Sequence, residues 1–271
     1  MRPRITKAET LLLLACLGLV VPALFAPAVA QPPHYHEFAD QRMLWGLPFA
    51  MDVLSNAAFA LAGIVGAVAL VMLPPRSLSN VQRAMAVLLF TGLVLTAGAS
   101  SWYHEYPDEG GLAIDRCGMA FAFAGLLGLA AAGRVSERAG AALGLAVLAL
   151  GPYCAHVAFA RGNVLPWALL QFGGMALVIW LAALRPRHRA LDIRWGMVIM
   201  AYAVAKLLEL NDYPVYQLTG QLVSGHTLKH VVAALAAWPV IGAIRTLGRS
   251  QRRMPGRIRF GRAGIRRAGN A

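Results

Sequence analysis

The stretch Ala84-Met85-Ala86-Val87-Leu88-Leu89-Phe90-Thr91-Gly92-Leu93-Val94-Leu95-Thr96-Ala97-Gly98-Ala99-Ser100-Ser101-Trp102-Tyr103-His104 decides the fold class. No residue in 84–98 carries a charge. The whole stretch is close to the roughly 20 apolar residues that a helix needs to cross a bilayer. Its end turns polar, with two serines, two aromatics and an imidazole in succession. Ser100 and His104 are four residues apart, so on a helix they share one face. An apolar helix thus carries a hydroxyl and a metal-binding nitrogen to one end. Polar groups at membrane depth are costly, which makes them candidates for function.

Working outward, similar apolar runs recur at about 50–73, 112–132, 139–160, 164–184, 195–210 and 226–245. The run over 195–210 is the weakest, because Lys206 and Glu209 fall near its end. At i, i+3 those two charges are placed to pair on one helix face. Pro74-Pro75, Pro107, Gly162-Asn163, Pro186 and Pro214 punctuate the runs as turn residues. The pattern predicts an all-α membrane protein, a seven-transmembrane helix bundle spanning 31–247. One earlier run, at about 10–30, follows Arg2, Arg4 and Lys7 and ends Ala28-Val29-Ala30-Gln31. A basic start, a leucine-rich centre and a small-x-small end read as a secretory signal peptide over 1–30. An uncleaved extra N-terminal helix is the alternative.

Composition agrees. Of 271 residues, 58% are hydrophobic and 14% charged, with a mean hydropathy of +0.58, whereas a soluble domain is about a quarter charged. The net charge of +13 would suggest a nucleic-acid partner in a soluble protein. Here the arginines lie between and after the apolar runs, so they are a topology signal. Arg76 and Arg83, then Arg134 and Arg138, then Arg185, Arg187, Arg189 and Arg194, then the tail from Arg245 onward, fall on one side. Glu105, Asp108, Glu109 and Asp212 fall on the other. The arginine side is therefore expected in the cytoplasm of a bacterial inner-membrane protein, with the polar helix ends outside. The segment 248–271 is rich in Arg and Gly without apolar periodicity, and is expected to be a disordered cytoplasmic tail touching anionic lipid. Cys16, Cys117 and Cys154 lie in apolar stretches with no CxxC spacing, so neither a disulfide framework nor a thiolate metal site is expected.

Other polar residues fall at the same end as His104. Asp115 follows it by eleven residues, and the last run opens Ser224-Gly225-His226-Thr227-Leu228-Lys229-His230. His226 and His230 are four apart, a spacing that gives two nitrogen ligands to one zinc. His104 could supply a third from a neighbouring helix. Three protein ligands plus a water is the open arrangement of a catalytic zinc. An HxxxH pair alone is commonly two unrelated histidines, and Asp115 could simply pair with Arg116 or Lys229. His156 has no partner spacing and reads as a structural residue near the same end.

Together these residues resemble the alkaline ceramidase family, part of a wider seven-span group that includes the adiponectin and progestin receptors. The resemblance is carried by Ser100-x-x-x-His104, Asp115 and His226-x-x-x-His230. Asp52-Val53-Leu54-Ser55-Asn56 is similar to the family's Ser-Asn signature, and Phe38-Ala39-Asp40-Gln41-Arg42 and Lys206-Leu207-Leu208-Glu209 look like bacterial members. The resemblance covers the chain from about His36 to Arg245. It implies that His104, His226 and His230 bind Zn2+ with a water in the fourth position. Asp115 would orient or deprotonate that water, and Ser100 would steady the site or the oxyanion. The implied reaction is hydrolysis of the amide of ceramide or a related N-acyl lipid. Animal members also carry a Ca2+ site of acidic residues. Glu37, Asp40 and Asp52 stand in that region here, but the position seven before Asn56 is Phe49, so the pattern is broken. Asp52 reads instead as a helix cap or a hydrogen-bond partner of Ser55. Two other functions compete: a receptor or sensor with a structural zinc, and a transporter or proton relay using Lys206, Glu209 and the histidines.

Overall fold

The computed structural model describes residues 5–188 and 190–252. Among them the chain is all-α, and extended pairing is confined to isolated bridges at Ala30–Asn163 and Leu44–Leu47. The helices are α1 (Lys7–Phe25), α2 (Ala50–Ser55), α3 (Ala57–Val71), α4 (Asn80–Glu105), α5 (Glu109–Arg134), α6 (Glu137–Arg161) and α7 (Leu165–Ala168). After a π-helical turn (Leu169–Gly173) come α8 (Gly174–Ala183), α9 (Trp195–Leu210), α10 (Asp212–Leu218), α11 (Gly225–Leu235) and α12 (Trp238–Arg252).

Among the described residues, seven helical stretches are long and apolar enough to cross a membrane: Lys7–Phe25, Ala50–Val71, Asn80–Glu105, Glu109–Arg134, Glu137–Arg161, Leu165–Ala183 and Gly225–Arg252. The run expected over 195–210 does form a helix, α9, but it has only 16 residues. Its charged end shortens the apolar stretch, so it falls below the usual spanning length. The first stretch, by contrast, is joined to the bundle. Glu9 accepts hydrogen bonds from Ser136 Oγ (2.6 Å) and from Arg138. At the other end Val29 N–H donates to Asn163 Oδ1 (3.0 Å), and Val164 N–H donates to the Val29 carbonyl. These contacts connect the helix and the segment after it to α6 and the loop that follows. At the C-terminus α12 runs to Arg252, into the basic stretch that begins at Gly248. The rest of the expected tail, 253–271, lies outside the described residues.

Polar caps set the helix starts that organise the bundle. Ser79, Asp108, Ser136 and Ser224 each accept the backbone N–H three residues on, satisfying a donor that the helix itself leaves open. Close helix approach depends on small residues. At Gly125 of α5 a Cβ would stand 2.3 Å from the Leu89 nitrogen of α4. At Gly225 it would stand 2.3 Å from the Leu208 carbonyl oxygen of α9. The first contact packs α4 and α5 closely along their length, and a Cβ on Gly111 at the start of α5 would meet Tyr103 Cα near the end of α4 at 3.2 Å. Gly225 seats the start of α11 on the end of α9. His104, Asp115 and His226 are thereby gathered at one end of the bundle. Arg83, Arg134 and Arg138 lie at the opposite ends of their helices.

Candidate metal centre

His104 ends α4, while His226 and His230 occupy successive turns at the start of α11. Ser224 caps that helix, and Asp212 Oδ1 accepts the His226 N–H at 2.7 Å, fixing its first turn. All three imidazoles are buried: 1%, 7% and 3% of their surface is exposed. Their ring centroids form a near-equilateral triangle, with sides of 4.7, 4.9 and 5.0 Å. One nitrogen from each lies within 4.8 Å of the other two. Nε2 of His226 and Nε2 of His104 are 3.2 Å apart.

These distances fit a metal ion. Nitrogens about 2.0–2.1 Å from a tetrahedral zinc are separated by about 3.3–3.4 Å, close to the separation found here. The protonation of His230 points the same way. Ser55 Oγ donates its single proton to the Asp52 carbonyl at 2.9 Å. It must therefore accept from His230 Nδ1–H, 2.7 Å away. That leaves the His230 Nε2 lone pair for the cluster, the arrangement in which an outer hydrogen bond orients a metal ligand. His104 Nδ1 is buried without a protein hydrogen-bond partner. Among the described residues, these three histidines are the group of His, Cys, Asp or Glu side chains close enough to share an ion.

Asp115 and Ser100 stand beside the cluster, 8% and 2% exposed. Ser100, one turn before His104, interacts with the Asp115 carboxylate, whose Oδ1 has no protein hydrogen-bond partner. The alternative ion pairs do not form. Arg116 reaches Gln31 at 2.9 Å and lies over the Tyr35 and Trp167 rings. Lys229 reaches Glu209 at 2.9 Å instead. Asp115, Ser100 and His230 open onto a partly open cavity between the helices. Lys206, Glu209 and Lys229 complete its polar end, and Leu89, Leu93, Leu126, Met175 and Val198 line the remainder. Leu89 lies three turns from Ser100 along α4, about 16 Å at 1.5 Å per residue. Gln171 enters the wall from the π-helical turn, a deviation that often marks functional sites.

Asp52 does not cap its helix, since the N-cap of α2 is Phe49, which sits in a left-handed conformation. The Asp52 carboxylate instead accepts from Thr227 Oγ1 (2.6 Å) and Ser224 Oγ (3.3 Å), tying α2 to the ligand helix. Its link to Ser55 runs through the backbone carbonyl. The other acidic residues considered for calcium are engaged elsewhere. Glu37 pairs with the exposed His34, and Asp40 pairs with Arg42. His156 is exposed on α6 and takes no part in the site.

One contributor was legible only as a segment. Phe38 is 3% exposed, and its ring lies 4.7 Å from that of His104 and 4.5 Å from that of His226. It covers the histidines from the loop side. Asp212 holds it there, because Asp212 Oδ2 accepts Ala39 N–H at 2.9 Å while its other oxygen holds His226. No protein-family model matches this chain, and no curated protein matches it.

Proposed function

We propose that the protein is a zinc-dependent integral-membrane amidohydrolase that cleaves the amide bond of ceramide or a related N-acyl lipid. The observation that carries this reading is the juxtaposition of a three-histidine centre with a free carboxylate oxygen at the polar end of a long apolar cavity. Three neutral nitrogens suit zinc, and His104, His226 and His230 would hold it. Bound there, zinc would polarise the scissile carbonyl and lower the pKa of a water.

The rest falls to the chain. The apolar cavity takes the acyl chain and sets the amide at its polar end. Asp115 Oδ1 accepts a proton from the attacking water, whose oxygen bonds to the carbonyl carbon. As the C–N bond breaks, Asp115 returns that proton to the leaving nitrogen, giving a fatty acid and an amine. Ser100 holds Asp115 in position. Phe38 keeps bulk water off the histidines. A purely structural zinc is more often closed by a fourth protein ligand. The three-donor set therefore favours turnover over a sensor. The arginine-bearing ends face the cytoplasm in this reading and the centre faces outward.

The test is lipid extraction and mass spectrometry after incubation with N-acyl lipids in detergent micelles. Wild-type protein should release free fatty acid, and Asp115→Ala should not while keeping its zinc. No release from any N-acyl lipid, with zinc bound, would replace the hydrolase with a sensor.

A further inference from the structure

Glu209 serves two lysines at once. On α9 it pairs with Lys206 one turn earlier, and its Oε1 accepts from Lys229 Nζ of α11 at 2.9 Å. All three side chains are 20–23% exposed and line the cavity that Asp115 and His230 also line. Each glutamate oxygen is taken by one lysine. Each ammonium has three donors and directs only one at Glu209. The cluster therefore keeps a net charge of +1 and spare N–H groups at the cavity's polar end. Asp115, the other carboxylate there, is held by Ser100 and faces a centre whose ion would add two positive charges.

Joining α9 to α11 does not account for the group. Lys229 and Glu209 alone make that link. Lys206 pairs within its own helix, 5.4 Å from the Phe172 ring, and its charge at membrane depth is costly without a further role.

We propose that Lys206 and Lys229, held by Glu209, seat a single negative charge on the amine half of the lipid. The substrate is then an anionic N-acyl lipid, such as an N-acyl amino acid, in preference to a neutral one. This rests on the hydrolase reading for where the amide lies, but its observable is binding. The probes are dodecylsulfonylglycine and dodecylsulfonylethanolamine, sulfonamides that share a chain and differ in the carboxylate. Binding is measured on the full-length, zinc-loaded protein in neutral detergent.

Wild type should bind the glycine compound roughly tenfold more tightly, the scale of one charge-assisted hydrogen bond. Lys206→Gln should remove most of that preference and leave the link between α9 and α11 in place. Lys206→Arg, which keeps the charge, should retain it. A third probe, the phosphoethanolamine sulfonamide, identifies the anion: tighter binding than the glycine compound supports the seat and assigns it to a phosphate-bearing headgroup. Equal affinity for the charged and neutral probes in wild type would overturn the proposal, as would a preference unchanged in Lys206→Gln. Hydrolysis is followed separately with the matching carboxamides. Preference without turnover removes the hydrolase and keeps the seat, while turnover without preference does the reverse.

Discussion

Removing the Ser55 hydroxyl isolates the outer support of the candidate metal centre without replacing any of its three histidines. In Ser55→Ala, His230 Nδ1–H loses an acceptor at 2.7 Å and the Asp52 carbonyl loses a donor at 2.9 Å. The imidazole keeps the Phe59 ring, 5.9 Å away, and the Asp52 backbone to restrain it on that side. Loss of such an outer partner lowers metal affinity by about 10- to 100-fold, or roughly 1.4–2.8 kcal/mol. The assay is competition for zinc against a chromophoric chelator on purified protein in detergent. Circular dichroism confirms that helix content is unchanged. Ser55→Thr, which keeps a hydroxyl, should bind more tightly than Ser55→Ala. A zinc affinity in Ser55→Ala equal to wild type would refute the claim that this hydroxyl fixes the His230 tautomer.

Purified protein should retain about one zinc per chain by elemental analysis, and His226→Ala or His230→Ala should lose it; full retention by both variants would sink the assignment. Asp115→Asn should keep zinc and lose about 10²- to 10⁴-fold in fatty-acid release, the range for a positioned acid–base group. Gly225→Ala should destabilise the bundle by about 1–3 kcal/mol in a denaturant titration, since its Cβ would meet the Leu208 carbonyl oxygen at 2.3 Å. Phe38→Ala should open the loop face of the centre, which chelator-driven zinc release would report as a faster rate.

The apolar runs are local features, so 84–104 and its counterparts read directly as helices. The HxxxH spacing is local too, and four-residue periodicity puts His226 and His230 on one face whatever the rest of the chain does. His104 and Asp115 could be added because topology fixes which helix ends share a depth. Depth says nothing about azimuth, and azimuth decides who touches whom. Asp52 has a short-range role in a helix start by pattern, yet its carboxylate reaches Thr227, 175 residues away in the chain. Asp212 reads only as a charge on the non-arginine side, but both its oxygens are committed to backbone N–H groups. Phe38 has the same pattern as any loop aromatic. The α9 helix was expected as a full span, and its charged end proved to belong to the cavity wall.

The Asp212 clamp has a kinetic consequence. One carboxylate holds both the loop bearing Phe38 and the helix bearing His226, so swinging the loop aside would also loosen a ligand. The free volume at the centre is the cavity between the helices, and a substrate filling it arrives with its chain already among apolar walls. Under the proposed hydrolase function the bilayer would be the solvent of the reaction. Turnover should then follow the mole fraction of substrate in the membrane rather than its bulk concentration, and diluting the substrate with inert lipid should slow the reaction even when every molecule remains in the tube.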